Sequence, residues 1–197
     1  MLGAVVLSPQ TLEPIINEMG AKYGVDPALI KAHIKTESNW DVNASRFEAH
    51  KGDASWGLMQ LLLVTAREIL GQPNLTTTQL INPRVNIEAG TKYLARQIAR
   101  YKGIIPDAIS AYNAGTAFFQ PKPNQHLYRN QDYVDKVWKN YSIYKSLGSG
   151  VIAEAATSIS EAATDILGTD NMTPIYIFAG LVGLGVVVMS KPRSIAV

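Results

Sequence analysis

A chain of 197 residues can bury one good hydrophobic core and carry an appendage, but it is short for two full domains. It holds no cysteine, which excludes a disulfide framework and a thiolate zinc site, so packing has to hold the fold. The net charge of +2 is uneven: beyond Leu147, Lys191 and Arg193 stand against Glu154, Glu161, Asp165 and Asp170, leaving the tail at −2 and residues 1–147 at +4. Most of that excess lies between Arg84 and Lys145, with 10 basic and 4 acidic residues, a sign that suits nucleic acid, anionic lipid or cell-wall polymer alike.

Met1 to Leu7 lacks the basic region and the apolar length of a secretory signal, so none is expected. Ser8-Pro9 then opens a predicted helix carrying Leu12, Ile15, Ile16 and Met19. Asp26-Pro27, an N-cap followed by proline at the first helical position, opens a second with Leu29, Ile30 and Ile34 on one side. A third is expected from near Gly57 through Leu58, Leu61, Leu62 and Ile69 to Gly71. Asn82-Pro83 starts a long one that closes at Gly103, and Pro106-Asp107 a short one through Ala111. Phe118 to Asn130, rich in Pro, Asn and Gln, reads as a loop, and a last helix carries Tyr133, Val134, Val137, Trp138 and Tyr141. No segment alternates convincingly as a strand, so the expected class is all-α.

Beyond Gly148 the pattern changes. Val151, Ala155, Ile159, Ala162 and Ile166 recur at three- and four-residue steps, which predicts an amphipathic stalk helix over 148–171. From 172 to 190 there is no charged residue, and at ~1.5 Å per residue such a run nearly crosses a hydrocarbon core of about 30 Å. A single transmembrane helix over 172–190 is therefore expected, followed by a short basic tail over 191–197. Lys191 and Arg193 place that tail on the cytoplasmic side and the domain of residues 1–147 on the other.

The chemistry concentrates around the end of the second helix. Ile30, Ile34 and Glu37 stand at i, i+4 and i+7, which puts a carboxyl on the apolar face, where partial desolvation favours its protonated form. A general acid working near neutral pH needs that property. His33, one turn earlier, reads as a surface helix residue, and His50 and His126 show no metal-ligand spacing, so no metal is expected.

Glu37-Ser38, Gly57-Leu58-Met59-Gln60, Ala111-Tyr112-Asn113-Ala114-Gly115 and Tyr133-Val134, in this order, resemble the lytic transglycosylases of the soluble-enzyme type, which share the lysozyme-like fold. The resemblance covers roughly residues 8–145 and says nothing of the tail. It implies that Glu37 is the sole catalytic acid and base, cutting the bond between N-acetylmuramic acid and N-acetylglucosamine. The substrate's own N-acetyl group takes the place of a protein nucleophile, a 1,6-anhydro ring forms, and no cofactor is needed. It further implies substrate contacts from Ser45, Gln60, Tyr112 and Asn113, and a Tyr133 hydroxyl that positions the catalytic carboxyl. The segment between Glu37 and Ser45 is one residue shorter than in familiar members.

The expected partners are thus peptidoglycan glycan strands and, through the C-terminal helix, a lipid bilayer. Membrane or virion proteins could join them; nucleic acid is not expected. A membrane span without a secretory signal suits the lipid membrane of a phage particle, or a bacterial inner membrane with the domain facing the periplasm. Two rival readings remain at this point. Asp41, Glu48 and Asp53 are the acidic residues between Glu37-Ser38 and the Gly57 motif, and one rival is a hydrolytic muramidase that uses Asp53 or Asp41 as its second carboxylate. The other is a catalytically idle membrane protein that keeps the fold for wall docking.

Overall fold

In the computed structural model, which describes residues 3–49, 52–122, 125–148, 175–180 and 183–188, helix α1 spans Pro9–Tyr23. Ser8 Oγ accepts from the Thr11 amide at its start, and Gly24 turns left-handed at its end. Helix α2, Pro27–Ser38, is capped by Asp26, whose carboxylate accepts from the Ala28 amide. Two consecutive left-handed residues, Asn39 at φ 50° and Trp40 at φ 71°, then swing the chain away. An aromatic residue in that region is uncommon, and burial of the Trp40 side chain helps to hold it there. The abrupt exit leaves Glu37 in the last turn of a helix that nothing extends.

The chain next forms a three-stranded antiparallel sheet, β1 (Ser45–Glu48), β2 (Asp53–Trp56) and β3 (Leu61–Leu62), ordered β1-β2-β3. This corrects two expectations, the all-α class and the helix starting near Gly57. Leu58, Leu61 and Leu62 mimic helical spacing, but Gly57 at φ 74° and Gln60 at φ 45° break any helix. Helix α3 begins only at Leu63 and runs to Leu70. A short helix α4, Thr77–Leu80, follows, opened by a capping box between Thr76 and Gln79.

Helix α5, Pro83–Arg100, is the spine of the domain and packs against α1, α3, α4 and the next helix, α6 (Ile105–Ala114). Its Ile87, Ala89, Thr91 and Leu94 are fully buried. Ile87, Ala89 and Leu94 build one core with Leu12 and Ile16 of α1, Ile30 and Ile34 of α2 and Ile109 of α6, each large aliphatic contributing about 1.5–3 kcal/mol. Gly90 lets Met59 settle on the spine, since a Cβ at that glycine would stand 2.3 Å from Met59 Sδ.

The segment read as a loop holds a third correction: Phe119–Lys122 (β4) and Gln125–Tyr128 (β5) pair antiparallel. A last helix, α7, covers 131–148 and runs back along α2. Tyr141 donates to Asp26 Oδ2 at 3.0 Å, Lys145 pairs with the same carboxylate, and Asn140 Nδ2 donates to Thr36 Oγ1 at 3.0 Å. That antiparallel lie brings Tyr133, near the start of α7, to the end of α2.

The chain divides into two compact units, Met1–Lys145 and Ser146–Val197. Within the second, Ile175–Gly180 (β6) and Gly183–Val188 (β7) form an antiparallel pair from Ile175↔Val188 to Gly180↔Gly183. The expectation of one continuous transmembrane helix over 172–190 is corrected here, and among the described residues no helix is long and apolar enough to cross a membrane. Ile175, Ile177, Val186, Val187 and Val188 are β-branched, which favours extended backbone, and the first strand ends and the second begins on a glycine, Gly180 and Gly183. The expected amphipathic helix over 148–171, apart from Gly148, and the tail over 191–197 lie outside the described residues.

Candidate active site

Glu37 lies where two hollows meet, one of about 480 Å³ and one of about 330 Å³, and with Arg46 and Asn113 it lines both. Protein encloses the carboxyl on most sides while the cleft opens on one. Burial therefore dominates its electrostatics and raises its pKa to about 7. A hydrogen bond from Tyr133 and the Arg46 charge pull the other way, and Glu48 adds to the rise.

Tyr133 donates to Glu37 Oε1 at 2.6 Å, and its oxygen lies 3.2 Å from His33 Nδ1. Burial, then the nearby Glu37 charge, lifts the Tyr133 hydroxyl well above the usual tyrosine range, so it stays a donor. His33 is fully buried, with its ring 4.5 Å from that of Tyr112, which corrects its reading as a surface residue. Burial lowers its pKa to about 3 and keeps it neutral. The signal was present in the spacing: Ile30, His33, Ile34 and Glu37 share one helix face.

The structure brings Gln60, Tyr112 and Asn113 to the larger hollow alongside Glu37. Gln60 spends both amide hydrogens on backbone, with Nε2 donating to Ala44 O at 3.0 Å and Gly57 O at 2.9 Å, which leaves its carbonyl oxygen to face a ligand. Tyr112 donates to Met59 O at 2.9 Å, while its ring is wedged between His33 and Tyr93. Asn113 Oδ1 accepts from Asn130 Nδ2 at 3.0 Å, leaving its own amide hydrogens. Ser45 lines neither hollow; it begins β1 with its side chain exposed.

The cleft hydroxyl on this sheet belongs to Ser55. Arg46 and Glu48 alternate along β1, and Ser55 stands opposite Arg46 in the register, so all three share the face that lines the larger hollow. Arg46 Nε donates to Glu48 Oε1 at 2.8 Å and Ser55 Oγ to the same oxygen at 3.3 Å. Sequence reasoning missed Arg46 and Ser55 because the strand itself went unrecognised. Of the other acidic candidates, Asp41 accepts from the Val5 and Asn43 amides and Asp53 from the Ala54 amide, which are structural duties.

Asn86 of α5 sets the Gly57-to-Gln60 turn against the spine. Its Oδ1 accepts from the Met59 amide at 2.7 Å, and its Nδ2 donates to Trp56 O at 2.9 Å and Leu80 O at 3.0 Å. Every polar atom of this buried amide is thereby satisfied.

A transglycosylase of Enterobacteria phage PRD1 is 28% identical over 164 residues, covering 82% of this chain and 53% of that protein. The membrane-bound lytic murein transglycosylase C of Yersinia enterocolitica is 34% identical over 116 residues, covering 52% of this chain and 30% of its own. The chain thus spans about half or less of these relatives. Among solved structures, an inactive Glu-to-Gln variant of the lytic transglycosylase Slt from Pseudomonas aeruginosa aligns with a TM-score of 0.57 at 27% identity, over 71% of this chain and 25% of that one. The mostly helical, lysozyme-like fold is therefore shared. Residues 14–134 match the family described as Transglycosylase SLT domain, which is more than half of the sequence, and the chain belongs to that family.

Proposed function

We propose that the protein is a peptidoglycan lytic transglycosylase in which Glu37 serves first as acid and then as base. The observation that carries this reading is the Glu37 carboxyl at the junction of two hollows, fixed by a tyrosine hydroxyl on one oxygen, with burial raising its pKa to about 7. Because Tyr133 occupies Oε1, Oε2 is the oxygen that exchanges protons with substrate. In the first step Oε2–H protonates the bridging oxygen, the bond from the muramic acid C1 breaks, and the substrate's N-acetyl carbonyl oxygen closes on C1. In the second, the Glu37 carboxylate takes the proton of the C6 hydroxyl as O6 bonds to C1 and the N-acetyl oxygen leaves. The products are a 1,6-anhydro end and a free 4-hydroxyl. Glu37 returns protonated, and no water is consumed.

The two hollows suit a polymer that continues on both sides of the cut. Gln60, Tyr112 and Asn113 are assigned to substrate binding, with Ser55 taking the position on the sheet expected of Ser45. Glu48 favours a second reading, because it places another carboxylate in the cleft, where a muramidase would use one to activate water. Its engagement by Arg46 and Ser55 favours an electrostatic role instead. The mass of the released ends separates the two readings, since an anhydro end is lighter than a reducing end by one water.

The uncharged run over 172–190 is assigned to attachment to a lipid bilayer, a reading supported by the relative described as membrane-bound, and the phage relative supports a phage particle as its setting. On a density gradient the full chain should float with phospholipid vesicles. Recovery of all the protein in the dense fraction would overturn the attachment.

A further inference from the structure

We propose that His33 is a positioning residue for Glu37, acting through Tyr133 by fixing the direction of its hydroxyl hydrogen. The inference rests on Glu37 being the catalytic acid. A tyrosine hydroxyl has one hydrogen. With that hydrogen given to Glu37 Oε1 at 2.6 Å, the Tyr133 oxygen can only accept at 3.2 Å from His33, so Nδ1 carries the imidazole proton. The tautomer leaves Nε2 as a bare acceptor, and Nε2 is among the few buried side-chain atoms with no hydrogen-bond partner among the described residues.

A fully buried ring with an orphaned nitrogen is a liability that a leucine would not carry. What offsets it is the other nitrogen. The opposite tautomer would draw the Tyr133 hydrogen to His33 and strip the carboxylate of its donor. Accepting from Nδ1–H also polarises the Tyr133 hydroxyl and strengthens its donation. Because burial keeps the ring uncharged, His33 does not compete for the proton of Glu37.

The groups that face the carboxyl are Tyr133 from α7, Tyr112 from α6, Arg46 and Glu48 from β1, and His33 from its own helix. Only the chain from His33 to Tyr133 bears on the orientation of the donor. Tyr112 is committed to Met59 O, and Arg46 and Glu48 act at a distance through charge.

The test compares glycan cleavage by the full chain with that of His33→Leu, His33→Asn and His33→Gln, alongside Glu37→Gln. Asparagine sets an amide N–H near the place of Nδ1, whereas glutamine carries it one bond too far. His33→Leu should keep the wild-type melting temperature or exceed it. Its kcat should fall about tenfold with KM unchanged, and the alkaline limb of its pH profile should move upward. His33→Asn should restore most of the rate and the limb, and His33→Gln should restore neither. A stable His33→Leu with wild-type kcat and pH profile, beside an inactive Glu37→Gln, would overturn the role of His33. An active Glu37→Gln would overturn the site reading itself. Should His33→Leu fail to fold, equal rates for the asparagine and glutamine variants would equally overturn the proposal.

Discussion

Glu37→Gln is expected to lower glycan cleavage by at least about 10²–10⁴-fold, the range of a positioned general acid, while leaving the fold intact. Glutamine keeps the volume of the side chain and an oxygen that can accept from Tyr133, but it has no proton to give the bridging oxygen and no basic oxygen to take one from the C6 hydroxyl. Both steps fail together, so no change of pH recovers activity. Because a neutral amide replaces a carboxyl that burial penalises when charged, the variant should melt no lower than the wild type near and above pH 7. A wall-docking protein without catalysis would show no activity to lose, and binding to purified sacculi would then be the same in both forms.

Tyr133→Phe should give the second-largest effect, with a distinct signature. The hydroxyl donates to Glu37 at 2.6 Å and holds the carboxyl's pKa below where burial alone would put it. Removing it favours the protonated acid, so the pKa rises above about 7 and the alkaline limb of kcat/KM moves to higher pH. The acid step gains protonated enzyme at high pH, but the base step loses its support. A hydrogen bond to a charged group contributes about 1.5–3 kcal/mol, so kcat should fall roughly 10- to 100-fold. The same change strands the His33 Nδ1–H in the interior and should lower the melting temperature modestly. A pH–rate profile that drops uniformly, with its alkaline limb unmoved, would contradict the assigned hydrogen bond.

The helices that frame the site were legible wherever the signal is local. Ser8-Pro9, Asp26-Pro27 and Asn82-Pro83 each pair a capping side chain with a proline that cannot sit deeper in a helix, and each caps a helix in the structure. What local pattern missed was set at a distance. Leu58, Leu61 and Leu62 look helical until Asn86, 27 residues beyond Met59, claims the backbone of the intervening turn. The strands of the small sheet are only two to four residues long, so their period of two was hidden, and with it the cleft face of Arg46, Glu48 and Ser55. Ser45 stood close to the expected spacing, but the hydroxyl that reaches the cleft comes from the next strand, which is turned toward it by the hairpin register. At the other end of the chain, absence of charge suggested a membrane helix, whereas β-branching and paired glycines accompany an antiparallel pair of strands over 175–180 and 183–188. Glu37 and the Tyr133 hydroxyl beside it were expected from the company of their motifs, whereas the burial of His33 depends on α7 lying against α2.

The most direct test of a carboxyl that acts alone is the mass of the sugar ends released from purified peptidoglycan by the wild type and by Glu37→Gln, side by side. The wild type should release muramic acid ends lighter by one water than reducing ends, and Glu37→Gln should release none above background. Reducing ends from the wild type, or undiminished anhydro ends from Glu37→Gln, would contradict the account.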